Sequence, residues 1–273
     1  MIELKVNDAQ VTELLDDIMR LYGYDFSEYS KASIIRRINR LMSLDRFEDF
    51  AAFRNHLRRH PDYLKRFIEE VTVNVTEMFR DPLFYNYLRT TVFPEIAMRP
   101  FIRIWHAGCA TGEEVYSMAI MLKESGLLHK SLIYATDINP DVVEKTRSGI
   151  FPLIRMREYS ENYRMAGGTQ DFSAYYTAQY DRVIFRDELK EKMICATHNL
   201  VSDGSFNEFQ LILCRNVLIY FDRGLQERVL DLFDASLERL GFLALGTKET
   251  LKFSGLQQRY KQQQKERIWR KEY

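Results

Sequence analysis

Cysteine is scarce in this chain. Its 273 residues include three, Cys109, Cys195 and Cys214, and no two are spaced as C-x-x-C. That count supports neither a disulfide framework nor a zinc site, no metal is expected, and a reducing compartment fits. An excess of either charge is also missing. Lys+Arg and Asp+Glu both number 39, so no global field argues for nucleic acid or an acidic membrane as partner. Apolar runs are short, none approaching the ~20 residues that span a bilayer, so membrane insertion is not expected. The opening MIELKVNDAQ carries acidic residues early and has no long apolar core, unlike a signal peptide, and a cytoplasmic location is expected. Repeats and low-complexity segments are absent too. What is present is 46% hydrophobic and 29% charged sequence, enough for one large domain or a small domain plus a larger one.

The first 90 residues read as helical. VTELLDDIMRLYGY places Val11, Leu14, Leu15, Ile18 and Leu21 on one face, and SIIRRINRLMSL repeats the pattern with Ile34, Ile35, Ile38, Leu41 and Leu44. FEDFAAFRNHLRRH and YLKRFIEEVTVNV add two more helical segments around Pro61. The character changes near Pro94 and Pro100. FIRIWHAG suits a buried parallel strand, VYSMAIMLKESG a helix, SLIYATD a second strand, and NPDVVEKTRSG a helix with an asparagine cap and proline at its first position. Further on, FQLILCRNVLIYF is strand-like, QERVLDLFDASLERLG helical and FLALG another strand. This alternation predicts an α/β domain with a parallel sheet. Between Tyr159 and His198 it breaks, and YYTAQYDRVIFRDEL predicts a small inserted antiparallel unit, approximately 165–195. The tail KQQQKERIWRKEY contains Ile268 and Trp269 and is expected to end on a docked strand. The expected division is a helical N-terminal domain over 1–90 and an α/β domain over 91–273.

The loop HAGCATGEEVYS (106–117) follows the first strand and leads into a helix, where nucleotide-like ligands sit. Gly108 and Gly112 are read as removing Cβ atoms that would keep a ligand from the backbone. No Lys-Ser/Thr pair follows the second glycine, which argues against a triphosphate loop, and G-x-G-x-x-G is not matched. Glu113 and Glu114 follow instead, and carboxylates repel phosphate. Asp137 ends the second strand, where an acid can accept both ribose hydroxyls. Glycine loop, flanking carboxylates and strand-end aspartate together point to S-adenosylmethionine, whose sulfonium and ammonium are cationic. The bland alternative is a plain glycine turn with surface acids.

Five ordered blocks make the chain resemble the CheR family of chemotaxis receptor glutamate methyltransferases over nearly its whole length: VTVNVTEMFRD (71–81), AGCATGEEVYS (107–117), ATDIN (135–139), HNL (198–200) and LCRNVLIYFD (213–222). The resemblance implies a class I (Rossmann-like) methyltransferase domain with an inserted antiparallel β-subdomain, preceded by an all-helical domain. It also implies S-adenosyl-L-methionine as cofactor, S-adenosyl-L-homocysteine as product, and glutamate side chains of chemoreceptors as acceptors. Carried over by position, Asn74 and Thr76 contact the methionine end of the cofactor and Arg80 sits near the transferring methyl. Glu114 lies by the methionine or ribose portion, Asp137 binds ribose, and Asn199 and Leu200 flank adenine. Arg215 and Asn216 close the site, and Tyr220 stands near the acceptor.

The chemistry is consistent with that assignment. A glutamate carboxylate, with reference pKa near ~4.3, is already a nucleophile at neutral pH, so alignment replaces a general base. Arg80 can hold it through its planar fork, unless Arg80 merely pairs with Asp81. Tyr220 has an ordinary strand aromatic as its alternative, and His106 and His198 read as packing or turn residues. From Lys31 to Arg66 ten basic side chains face four acidic ones. Arg36, Arg37 and Arg40 lie off the apolar stripe, and the resemblance makes that face a dock for the acidic receptor helical bundle. A receptor C-terminal peptide on the β-subdomain is a further partner of the same kind. Departures from the family pattern are Ala110, Val115, Gln210 and the element GTKET (246–250). The competing functions are a non-catalytic S-adenosylmethionine-binding adaptor and a methyltransferase acting on another protein, RNA or a small molecule.

Overall fold

The computed structural model describes residues 6–72, 74–252, 254–263 and 267–273; Val73 of the VTVNVTEMFRD block and residues 264–266 of the tail lie outside the described residues. The chain divides into two compact units, one of Met1–Asn74 with Leu218–Val229, the other of Val75–Val217 with Leu230–Tyr273.

The first unit carries helices α1 (Asp8–Tyr22), α2 (Lys31–Leu44), α3 (Phe50–Arg59) and α4 (Tyr63–Thr72). Helix α1 starts on a reciprocal cap. The Asn7 side chain accepts from the Gln10 N–H and the Gln10 side chain accepts from the Asn7 N–H, at 2.9 and 3.0 Å. It stops at Gly23, whose φ of 77° only glycine adopts cheaply. Val11, Leu14, Leu15 and Ile18 are buried as their spacing predicts. Leu21 and Leu44 are not, at 46% and 52% exposed, because each stands in the final turn of its helix. Asp17 is a buried acid in this unit, neutralised by Arg54 from α3 at 2.6 Å. Burial alone would raise its carboxyl, and three arginines more than reverse that.

The second unit opens with short helices α5 (Pro82–Tyr87) and α6 (Phe93–Ile96). Strand β1 (Ile102–Ala107), helix α7 (Glu113–Glu124), strand β2 (Ser131–Asp137) and helix α8 (Pro140–Ser148) follow as predicted. Strands β3 (Ile150–Pro152), β4 (Tyr176–Gln179) and β5 (Arg182–Phe185) form a separate antiparallel sheet in the order β3-β5-β4, with helix α9 (Met156–Met165) between its first two strands. Helix α10 (Asp187–Lys190) leads to β6 (Met193–Thr197), then β7 (Phe209–Cys214), helix α11 (Arg223–Ser236), β8 (Leu237–Leu245), β9 (Tyr260–Gln263) and β10 (Ile268–Lys271). The main sheet of described strands runs β6-β2-β1-β7-β8-β10-β9. Its first five strands are parallel, and β10 docks antiparallel on β8, giving the tail the strand its Ile268 and Trp269 predict. The fold is thus the expected Rossmann-like α/β sheet with an antiparallel insert and a helical unit before it.

Two stretches differ from their sequence reading. The strand-like run FQLILCRNVLIYF ends at Cys214, because Asn216 takes φ 64° and turns the chain out of the sheet. The helix predicted through LERLG ends at Ser236, and Leu237–Leu245 is already strand.

Strands β1 and β7 are adjacent, yet the chain leaves β1 toward β2 on one side and β7 toward β8 on the other. The sheet order therefore reverses between them, which opens a crevice at their carboxyl ends. Helix α7 is buried over nearly its whole length and anchors the loop above that crevice. Among the described residues no helix is long and apolar enough to cross a membrane.

Candidate functional site

Residues at the ends of β1, β2, β6 and β7 converge around one charged cluster in the second unit. Its centre is Arg215, whose side chain is 3% exposed. One guanidinium nitrogen donates to Glu114 Oε2 at 3.0 Å, and the other donates to Asp81 Oδ2 at 2.6 Å and to the Arg80 carbonyl at 3.2 Å. The plane lies 4.0 Å from the Phe84 ring centroid. Glu114 Oε1 meets His106 Nδ1 at 2.9 Å. Burial opposes the Glu114 charge, but the His106 hydrogen bond and the Arg215 charge outweigh it, holding the carboxyl below its usual range. An ionised carboxylate only accepts, so Nδ1 carries the proton, and among the described residues the buried Nε2 of His106 has no hydrogen-bond partner.

Asp137 closes the β2 side. Its Oδ2 accepts from Ala110 N–H and its Oδ1 from Asn139 N–H, both at 3.0 Å. Burial pushes this carboxyl up, against those backbone donors. Each oxygen keeps a lone pair for a further donor. The neighbouring β6 turn is tied in by His198 N–H donating to the Asp137 carbonyl at 3.1 Å. There Asn199 accepts from Val201 N–H at 3.0 Å, and its own N–H donates to Asp203 at 2.8 Å. Leu200 sits on this turn, half-buried.

The segment carrying Thr76 and Arg80 is held from α7. The buried Ser117 hydroxyl accepts from Phe79 N–H at 2.9 Å and donates to the Glu113 carbonyl at 2.8 Å. Asn162 of α9 adds a bond to the Met78 carbonyl at 3.1 Å. Phe79 and Asp81, on either side of Arg80, take φ of 54° and 59°. Asp81 is committed to Arg215, so the simple Arg80–Asp81 pair does not form, and among the described residues Arg80 has no ion-pair partner. Asn74 and Tyr220 belong to the first unit, where Asn74 Oδ1 stands 3.4 Å from the Thr72 hydroxyl and the Tyr220 carbonyl accepts from Ser30 N–H at 2.8 Å.

Residues 74–268 match the family description "CheR methyltransferase, SAM binding domain", and residues 9–72 match "CheR methyltransferase, all-alpha domain". The chain belongs to the CheR methyltransferase family. A Pseudomonas putida relative named Cher3 is 45% identical over 97% of both chains. Chemotaxis protein methyltransferase of Listeria innocua is 30% identical over 86% of this chain and 87% of its own. Chemotaxis protein methyltransferase 2 of Pseudomonas aeruginosa is 30% identical over 87% of this chain and 85% of its own.

Within this CheR-family domain the donor set fits S-adenosylmethionine. An ionised Glu114, an unsaturated Asp137 carboxyl and no phosphate-binding lysine suit a cationic, hydroxyl-bearing ligand. The glycines act differently from their sequence reading. A Cβ on Gly108 would lie 2.5 Å from Val217 Cγ2, and one on Gly112 would lie 2.7 Å from Thr146 Oγ1, so both meet the protein itself. Their φ of 78° and 95° is the second reason for glycine. The sequence does not mark Ser117 or Glu249 as site residues, and it reads His106 as a packing or turn residue. His106 and Ser117 are the first and last residues of the quoted loop, and only their three-dimensional partners reveal them.

Proposed function

We propose that this protein is an S-adenosylmethionine-dependent protein-glutamate O-methyltransferase of the cytoplasm, acting on the helical bundle of chemoreceptors. The observation that carries this reading is Arg80, a half-buried arginine beside the charged cluster whose neighbouring acid is already taken by Arg215. Glu77 acts on Arg80 through space, but among the described residues the Arg80 fork makes no ion pair, and it can take an incoming carboxylate. When bound, S-adenosylmethionine supplies an electrophilic methyl group on a sulfonium. Asp137 holds hydroxyls of that ligand, Glu114 and Asn216 flank it, and Asn199 and Leu200 border its base. Arg80 orients the acceptor glutamate, which is ionised at neutral pH and needs no base to become nucleophilic. The roles expected of Asn74, Thr76 and Tyr220 are part of the same proposal. The test is incubation with labelled S-adenosylmethionine and receptor-bearing membranes, followed by alkaline release of methanol. Arg80→Ala is expected to lower methyl ester formation about 10²-fold with unchanged thermal stability. An absence of base-labile ester on any receptor would favour a binding adaptor instead.

The first unit supplies the proposed docking face. Arg36 is exposed with no ion-pair partner among the described residues, while Arg40 and Arg37 share Glu70 at 2.5 and 3.6 Å. Charge reversal by Arg36→Glu with Arg37→Glu should weaken receptor methylation most at low salt. Unchanged methylation there removes the docking role. The three-stranded sheet is the proposed seat of a receptor C-terminal peptide, through an added strand.

A further inference from the structure

The turn after β7 is shaped by a residue from a distant loop. Glu249, 5% exposed, follows β8, whose last residue Leu245 is in register with Cys214, the last of β7. One carboxylate oxygen, Oε2, accepts from both Asn216 N–H at 3.0 Å and Gly246 N–H at 2.5 Å. Asn216 sits at φ 64°, a conformation costly for residues with a Cβ and tolerated best by asparagine and aspartate. The approach is too close for anything but glycine at 246: a Cβ there would lie 2.7 Å from Glu249 Oε2 and 2.8 Å from the Asn216 nitrogen. The next residue, Val217, presses its side chain against the bare Cα of Gly108. The preceding residue, Arg215, is held by Glu114 and Asp81. Three successive residues are therefore pinned, and the middle one is pinned through its backbone by Glu249.

We propose that Glu249 is a positioning residue for the cofactor site: it holds the Asn216 backbone in its left-handed conformation, and so keeps Val217 seated against the Gly108 loop. A buried acceptor oxygen bridging two N–H groups suits this task, because an orphaned backbone N–H is expensive. The inference rests on Asn216 facing the cofactor.

The test measures S-adenosylhomocysteine binding by calorimetry, together with kcat, KM and Tm, for the full chain. Glu249→Ala should raise Kd and the KM for S-adenosylmethionine about 10- to 100-fold, with kcat at saturation changing far less. Glu249→Gln keeps a carbonyl acceptor and should recover most of the affinity, and it also serves where the alanine variant does not fold. In a double-mutant cycle, Glu249→Ala and Asn216→Ala should be strongly non-additive. If Asn216→Ala weakens binding while Glu249→Ala and Glu249→Gln leave Kd unchanged, or if the two effects simply add, the positioning role is overturned. If Asn216→Ala itself leaves binding intact, the cofactor role of Asn216 fails, and this inference with it.

Discussion

Helix α7 carries a buried glutamate cluster at each end, and the two are built differently. At its start, Glu114 meets Arg215 and His106. At its end, Glu124 accepts from Arg89 at 2.7 Å, Tyr175 at 2.8 Å, Thr169 N–H at 3.2 Å and the Tyr163 hydroxyl. Burial opposes both charges, and in both the donors win, so both carboxyls lie below their usual range. The backbone separates them. Around Glu114 positive φ values fall on Gly108 and Gly112 but also on four residues with a Cβ, Phe79, Asp81, Ala110 and Asn216, and Phe79 and Ala110 resist it most. Around Glu124 they fall on Gly126 and Gly167, where they cost little. The start of the helix, where the proposed site lies, places positive φ on residues with a Cβ, and the end joins the antiparallel insert to the sheet through glycines.

The largest expected effect comes from removing the shared partner at the strained end. Arg215→Met leaves Glu114 without its charge partner in a buried setting and releases Asp81. A loss of about 3–5 kcal/mol in unfolding free energy is expected, measured by urea denaturation, together with loss of S-adenosylhomocysteine binding. Binding that survives in a folded variant would mean the cluster serves stability alone, like its counterpart. Gly108→Ala comes next, at about 2–3 kcal/mol from a left-handed alanine and overlap with Val217, with a raised Kd because the β7 turn must move.

Glu124→Gln sharpens the contrast from the other side. A buried charge-assisted acceptor is worth about 1–3 kcal/mol, and no change in S-adenosylhomocysteine Kd is expected. The pH dependence has a definite sign. Because the folded carboxyl sits below the unfolded reference of 4.5, the stabilisation is complete above that pH and is lost as pH falls through the folded value. Urea midpoints from pH 7 to 3 should show wild type converging on Glu124→Gln in acid. A gap that widens in acid would contradict the assignment.

The two ends also differed in how far they could be read from sequence. The loop HAGCATGEEVYS, Asp137 and the arginine beside β7 were legible because their residue types and their places at strand ends carry the chemistry. The reason for the glycines was not, since it depends on Val217 and Thr146, side chains distant in sequence. Nor was the contact of Glu249 with Asn216, because Glu249 lies 33 residues beyond it and nothing local shows that β7 and β8 end side by side. His106 reads as a packing residue in the sequence, and its partner Glu114, the second residue of α7, meets it at 2.9 Å only in the fold. At the Glu124 end, Tyr163, Thr169 and Tyr175 come from the insert, whose strands were legible but whose packing partners were not. Periodicity predicts which face of an element is buried, and it is silent about which polar groups meet across elements.

The smallest effect should separate strain from function most cleanly. Gly126 follows α7 at φ 68°, and a Cβ added there meets nothing within 4 Å. Gly126→Ala therefore isolates the cost of a left-handed alanine, about 1 kcal/mol, without the overlap that accompanies the same change at Gly108. Thermal melts should show a shift of a few degrees, with Kd for S-adenosylhomocysteine and kcat unchanged. The comparison with Gly108→Ala then divides the Gly108 penalty into its conformational part, common to both variants, and a packing part that reaches the site. If Gly126→Ala altered cofactor binding, the two ends of α7 would be coupled through the helix itself. The division between a strained binding end and an unstrained joining end would then have to be given up.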